Sequence, residues 1–335
     1  MRTAFIGSGI ETTALGFGCA SLFHLPSKRQ RRRVLDAAYD AGIRHFDVAP
    51  MYGLGSAEQE LGAFARTHSE DVVIATKFGI EPTRLARGIA HLQGPVRLLL
   101  GRLPALQHRV KSAASGPGSG GLGRLLYRAR GYDAAAARSS LQGSLRRLGR
   151  EHIDLYLLHE PAPDAVSDDL VADLEDARAT GLIRAWGVAA AAVDAITVGA
   201  TLGSSSILQI PYDGLDRAQS SAAAGWPGGV ITYGVIARAA SRIRAALGSG
   251  ELPEWNAAVG FDLADPEQTA SMLLLDALDR NPSGIVLYST TRAERVGAAA
   301  HVVEEDAGSG EKLARFQAFL AKLGQGQVAA SIGTP

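Results

Sequence analysis

The sequence has one cysteine in 335 residues, Cys19, which excludes an internal disulfide and any metal site built from several thiolates. That usage fits a reducing compartment. Neither sign of charge is in excess: 34 Lys and Arg balance 34 Asp and Glu, so no bulk field draws the chain to nucleic acid or to an anionic membrane. Long apolar runs are missing as well. No stretch approaches the roughly 20 apolar residues needed to span a bilayer, and MRTAFIGSGIETTALG holds no apolar core of signal-peptide length. These absences predict a soluble, cytoplasmic chain with neither nucleic acid nor membrane as partner. No strong coiled-coil or edge signal is present, so a monomer is the default.

Three chemical signatures are absent too. No regular glycine-rich phosphate fingerprint follows the first strand-like run, no G-x-S-x-G elbow marks a serine nucleophile, and His159 has no second histidine at metal-ligand spacing. The expected metal complement is therefore none.

What is present is an alternation. Apolar, strand-like runs (ALGFGCA at 14–20, RHFDVA at 44–49, VVIATK at 72–77, DLYLLHE at 154–160, then RAWGVA, ILQIPYD, GVITYGV and SGIVLYST) are separated by amphipathic helical patterns. Cys19 reads as a packed strand residue. Eight such repeats over about 300 residues predict an α/β fold closed into a (β/α)8 barrel, a TIM barrel, as one domain over 1–335. Residues 80–131 break the rhythm with an arginine- and leucine-rich stretch and a Ser/Gly-rich one. They predict an insertion between the third strand and its helix, at the rim where active sites form, as a lid, a surface excursion or a short amphipathic helix. The run KRQRRR at 28–33 opens a helix whose other face is Val34, Leu35 and Ala38, which reads as a solvated basic face.

Three strand-like runs end in titratable groups, Asp47, Lys77 and His159, and Tyr52 stands in the turn beyond the first. A free phenol titrates near pH 10, and a neighbouring ammonium stabilises the phenolate and lowers that value. Lys77 can supply the ammonium, Asp47 can hold it in place, and His159 can add a hydrogen bond to the same network or to a substrate oxygen. Singly, each residue also has a structural explanation, as ion pair, interface aromatic or core histidine. Together at strand ends they predict a proton donor and acceptor aimed at a carbonyl or an alcohol.

The segment AGIRHFDVAPMYGLGSAEQELGAF resembles the aldo-keto reductase signature: an aspartate at a strand end, tyrosine and glycine five residues on, then a Ser-x-Glu-x-x-Leu-Gly helix. ATKFG, SLQGSLRRLGREHIDLYLLHEP, RAWGV, LQIPYD and YSTTRAERV resemble later family segments in the same order, over nearly the whole chain outside 80–131. The resemblance implies a barrel that binds NADP(H) and exchanges hydride with a small carbonyl or alcohol substrate. Tyr52 would be the general acid, Lys77 would lower its pKa, Asp47 would pair with Lys77, and His159 would orient the carbonyl oxygen. Gln209 would bond the nicotinamide amide, Tyr233 would stack on its ring, and Ser289, Thr290, Thr291 and Arg295 would grip the adenosine 2′-phosphate. Phe23, Met51, Phe78 and Trp226 are candidate substrate walls.

Two family pairs are replaced by alanines. Ala189 and Ala190 stand where the family has Ser-Asn, and Ala298 and Ala299 where Glu-Asn holds the adenine. These departures imply altered cofactor binding, and they keep two alternatives in view. One is a barrel that uses the four residues for a cofactor-independent elimination, isomerisation or hydrolysis; the other is a non-enzymatic nucleotide sensor.

Overall fold

The computed structural model describes residues 3–6, 9–68, 71–89, 125–129, 131–162, 164–202, 207–216, 223, 226–247, 252–304 and 310–332. A hairpin of β1 (Thr3–Ile6) and β2 (Ile10–Thr13) comes first in the chain. Eight parallel strands then close on themselves: β3 (Leu15–Gly18), β4 (His45–Asp47), β5 (Val73–Phe78), β8 (Ile153–His159), β9 (Ile183–Ala189), β10 (Ile207–Pro211), β11 (Val230–Tyr233) and β12 (Ile285–Tyr288). β12 pairs with β3 and shuts the barrel, giving the (β/α)8 fold. Cys19 does not continue the first barrel strand, which ends at Gly18; it opens a 3-10 helix, Cys19–His24, and is buried there.

Local chemistry sets the helix starts. The Ser27 side chain accepts from the Gln30 N–H ahead of helix Lys28–Asp40, Asp133 caps Ala134–Leu148, and Ser167 caps Asp168–Ala179, each satisfying an otherwise orphaned first-turn donor. Alternation along the strands divides the core into two layers. Phe46 faces outward onto Phe64 of helix Ala57–Ala65, with ring centroids 5.2 Å apart, while its neighbours His45 and Asp47 face the barrel interior. The basic run at 28–33 is partly paired within the chain: Arg31 binds both oxygens of Glu60, and Arg32 binds Asp36, while Val34, Leu35 and Ala38 are buried as expected.

Of the stretch 80–131, residues 90–124 and 130 lie outside the described residues. Its described ends form an antiparallel ribbon of β6 (Ile80–Pro82) and β7 (Tyr127–Ala129), with a short helix, Arg84–Ile89, after the first strand. Among the described residues no helix is long and apolar enough to cross a membrane.

Candidate active site

Because all eight barrel strands run parallel, their C-terminal ends share one rim. Asp47 is the last residue of β4, His159 the last of β8, and Lys77 the last but one of β5. The Lys77 ammonium donates to both Asp47 carboxylate oxygens at 2.7 and 2.6 Å and to the Val48 carbonyl at 3.2 Å. Both side chains are almost wholly buried, with 3% and 5% of their surface exposed. An ion pair so enclosed persists because the carboxylate meets the ammonium with both oxygens, and the Gln209 amide adds a further donor at 2.9 Å.

Tyr52 enters from the 3-10 turn Tyr52–Gly55 that follows β4. Gly53 has φ +59°, and a side chain there would collide with the Phe23 ring, so glycine is what lets the chain double back and bring Tyr52 over the rim. The Lys77 Nζ lies 5.5 Å from the Tyr52 ring centre, and the His159 ring stands edge-on to it at 6.5 Å. Sequence reasoning has Lys77 lowering the tyrosine pKa, whereas here Tyr52 is pushed above the ordinary phenol range, first by burial and then by the Asp47 carboxylate. Burial is the larger cause because it takes away the water that would solvate a phenolate. The hydroxyl is accordingly held as the protonated acid.

His159 is anchored through its backbone: the Tyr132 hydroxyl donates to its carbonyl, and a side chain at Gly79 (φ +118°) would strike that hydroxyl. Burial, and then the Lys77 charge, bring the imidazole pKa down to about 3, so it acts as a neutral hydrogen-bonding group. His45, two residues below Asp47 and fully buried, is lowered to about 3 by the same two causes. Neither of its ring nitrogens has a hydrogen-bond partner among the described residues. These two histidines make stability depend on pH. An unfolded histidine takes a proton near pH 6.5 and the folded ones do not until about pH 3, so the unfolded state binds more protons throughout that window and stability falls as the pH is lowered through it. Each contributes a slope of up to about 1.4 kcal/mol per pH unit. We expect the urea midpoint to fall steadily from pH 7 to pH 5 and the fall to be shallower in His45→Gln; an unchanged slope in that variant would show that His45 is not held neutral.

The rim residues open into one cavity of about 1440 Å³. Asp47, Met51, Tyr52, Lys77, His159, Ala189, Gln209 and Tyr233 line one part, and Ser289, Thr290, Arg295, Ala298 and Ala299 another. Thr291 is not among the lining residues. Three of the proposed walls also move out of the site. Phe78 follows the inward-facing Lys77 and therefore points to the outer layer, stacking on Tyr156 at 5.1 Å. Phe23 is covered by Arg31, whose guanidinium sits 5.1 Å over its ring. Trp226 packs against the cluster of Val188, Val198 and Leu208.

A nicotinamide dinucleotide fits this cavity on two counts. The Gln209 Oε1 is buried without a hydrogen-bond partner among the described residues, an acceptor suited to an amide N–H. Arg295 lines the cavity and forms no salt bridge among the described residues, which leaves its forked donors open to a phosphate. The wall made by Ala298 and Ala299 offers packing and no side-chain hydrogen bonds.

Sequence reasoning missed Glu160. Strand alternation after His159 would send the next side chain outward, but Glu160 has φ +57°, one of two non-glycine residues with positive φ among the described residues, and it lines the cavity beside Tyr52 and His159. That backbone costs roughly 1–2 kcal/mol in a non-glycine residue, and no sequence signal marks it.

A parallel eight-stranded barrel with a buried lysine–aspartate pair, a tyrosine and a histidine at its C-terminal rim defines a class of α/β protein whose site lies at the strand ends. The chain belongs to the Aldo/keto reductase family, whose model matches residues 14–222. It is 34% identical over 201 residues to a D-threo-aldose 1-dehydrogenase of Pseudomonas sp, covering 58% of this chain and 55% of the relative. To an NADH-specific methylglyoxal reductase of Escherichia coli it is 29% identical over 217 residues, covering 64% and 57%. The chain thus matches little more than half the length of these relatives. Among solved structures, the holo form of an aldo-keto reductase from Bacillus halodurans superposes with a TM-score of 0.67 over 96% of this chain and 97% of that one, at 19% identity, which is a likeness of fold.

Proposed function

We propose that this protein, read as one barrel domain, is an NADP(H)-dependent oxidoreductase that interconverts an aldehyde or ketone with the corresponding alcohol, with Tyr52 as the general acid. The observation that carries the reading is the buried Lys77–Asp47 pair beneath Tyr52, in the same cavity as the unpartnered Gln209 oxygen. The names of two relatives, an aldose dehydrogenase and a methylglyoxal reductase, point the same way.

When bound, the nicotinamide supplies the hydride that no side chain can. Gln209 and Tyr233 would hold its ring end, and Ser289, Thr290 and Arg295 its phosphate-bearing end. Tyr52 gives its proton to the carbonyl oxygen in reduction and takes it back in oxidation. Burial and Asp47 keep that proton on the hydroxyl between turnovers. Once it has left, the nearby Lys77 ammonium stabilises the phenolate. His159, neutral above about pH 3, hydrogen-bonds the substrate oxygen without competing for the proton.

The test is direct. NADPH should bind with enhanced nicotinamide fluorescence, and a panel of aldehydes should then oxidise it; no binding at high micromolar concentration would sink the proposal and favour a cofactor-independent reaction. Arg295→Ala should weaken NADPH by roughly 10-fold or more and NADH by much less, since charge-assisted hydrogen bonds of about 1.5–3 kcal/mol are lost only with the 2′-phosphate. Equal weakening of both would move the phosphate site elsewhere.

A further inference from the structure

Glu160 is a charged residue in the cavity for which the proton relay has no use. Its backbone N–H donates to the Ala189 carbonyl at 2.8 Å, which ties the turn after β8 to the end of β9. From that anchored, left-handed position the residue, itself exposed, lines the cavity together with Tyr52, His159 and Tyr233. The Ala191 N–H donates to the carboxylate and helps to hold its direction. No lysine, arginine or histidine forms a salt bridge with it among the described residues, and the charged group that bears on it, Asp194, has the same sign. Its charge is felt by the hydroxyls of Tyr52, Tyr132 and Tyr233, so it stands within electrostatic reach of the reacting end of the cavity.

A carboxylate at the cavity wall with no cationic partner among the described residues, held there by a backbone conformation unfavourable to its own residue type, has acceptor capacity that water or a ligand must satisfy. It offers hydrogen-bond acceptors to hydroxyl groups and repels an anion. We propose that Glu160 is a specificity residue that accepts hydrogen bonds from substrate hydroxyls near the carbonyl, so that the site selects neutral, hydroxylated aldehydes and rejects those bearing a carboxylate. The inference rests on the oxidoreductase reading and adds the substrate class to it. Glu160 takes no proton from the reacting atoms; Tyr52 has that role.

Three aldehydes of similar size separate the effects: glyceraldehyde carries two hydroxyls, propanal carries none, and glyoxylate carries a carboxylate. The wild-type kcat/KM is expected to fall in that order, with glyceraldehyde ahead of propanal by roughly 10- to 100-fold, the value of one or two hydrogen bonds to a charged group. Glu160→Gln keeps an acceptor oxygen and loses the charge. It should lower kcat/KM for glyceraldehyde by roughly 10-fold, mainly through KM, leave propanal within about twofold, and raise glyoxylate. Glu160→Gly removes the side chain and relaxes the backbone, so it should raise Tm while abolishing the preference for glyceraldehyde over propanal.

Equal proportional losses for all three aldehydes in both variants, or an unchanged ratio in Glu160→Gly, would overturn the assignment and leave the oxidoreductase reading standing. Absence of turnover by the wild-type protein with all three, despite bound NADPH, would overturn both.

Discussion

Tyr52→Phe is expected to lower carbonyl reduction by about 10²–10⁴-fold, the contribution typical of a positioned general acid, while NADPH affinity stays nearly unchanged. The substitution removes one oxygen and keeps the ring, and with it the contacts to Lys77 and His159. Burial and Asp47 hold the hydroxyl protonated, and His159 is neutral above about pH 3 and so is a poor substitute donor. Lys77 is committed to Asp47 and the Val48 carbonyl. Neither His159 nor Lys77 is thus prepared to give a proton in its place at neutral pH. Steady-state kinetics with nicotinamide fluorescence titration checks this: retained turnover, or a large loss of affinity, would remove Tyr52 from the acid role.

The largest expected effect on stability comes from Lys77→Met. The substitution leaves Asp47 buried in the barrel, accepting from Gln209 and without its cation, and breaking a buried pair in this way costs about 3–5 kcal/mol. Removing both charges in Asp47→Leu/Lys77→Met should recover part of that loss, because two apolar groups no longer pay for desolvation. The recovery stays partial, since the Gln209 amide is then stranded at a cost of about 1–3 kcal/mol. Urea denaturation of the three proteins distinguishes the cases. A single variant destabilised by less than about 1 kcal/mol, or a double variant no better than the single, would mean that water reaches Asp47 and satisfies it.

Much of this molecule is legible along the chain. The alternation of short β-branched runs with amphipathic helices is local information, and eight repeats of it lead to a barrel because a parallel strand can return to its sheet only through a crossover. Asp47, Lys77 and His159 are visible as polar ends of apolar runs, and once the strands are known to be parallel their meeting at one rim follows. The Phe23, Phe78 and Trp226 walls fail for a different reason. An aromatic residue near a strand end reads the same whether it faces the cavity or the outer layer, and the choice depends on which neighbour points inward; Phe78 loses the inner face to Lys77.

The sequence by itself therefore determined the order of elements, the closed parallel barrel and the four residue types at its rim, because these depend on periodicity and on which residues end each run. Only the tertiary structure decided the electrostatics: that burial and the Asp47 carboxylate, itself 2.6 Å from the Lys77 ammonium, push the Tyr52 pKa up, that Gln209 bonds Asp47 and keeps an oxygen without a partner among the described residues, and that Glu160 takes a left-handed backbone at the cavity wall. A pKa and a side-chain direction depend on distances and burial set by residues far apart in the chain, as with Asp47 and Gln209, and no local pattern carries those distances.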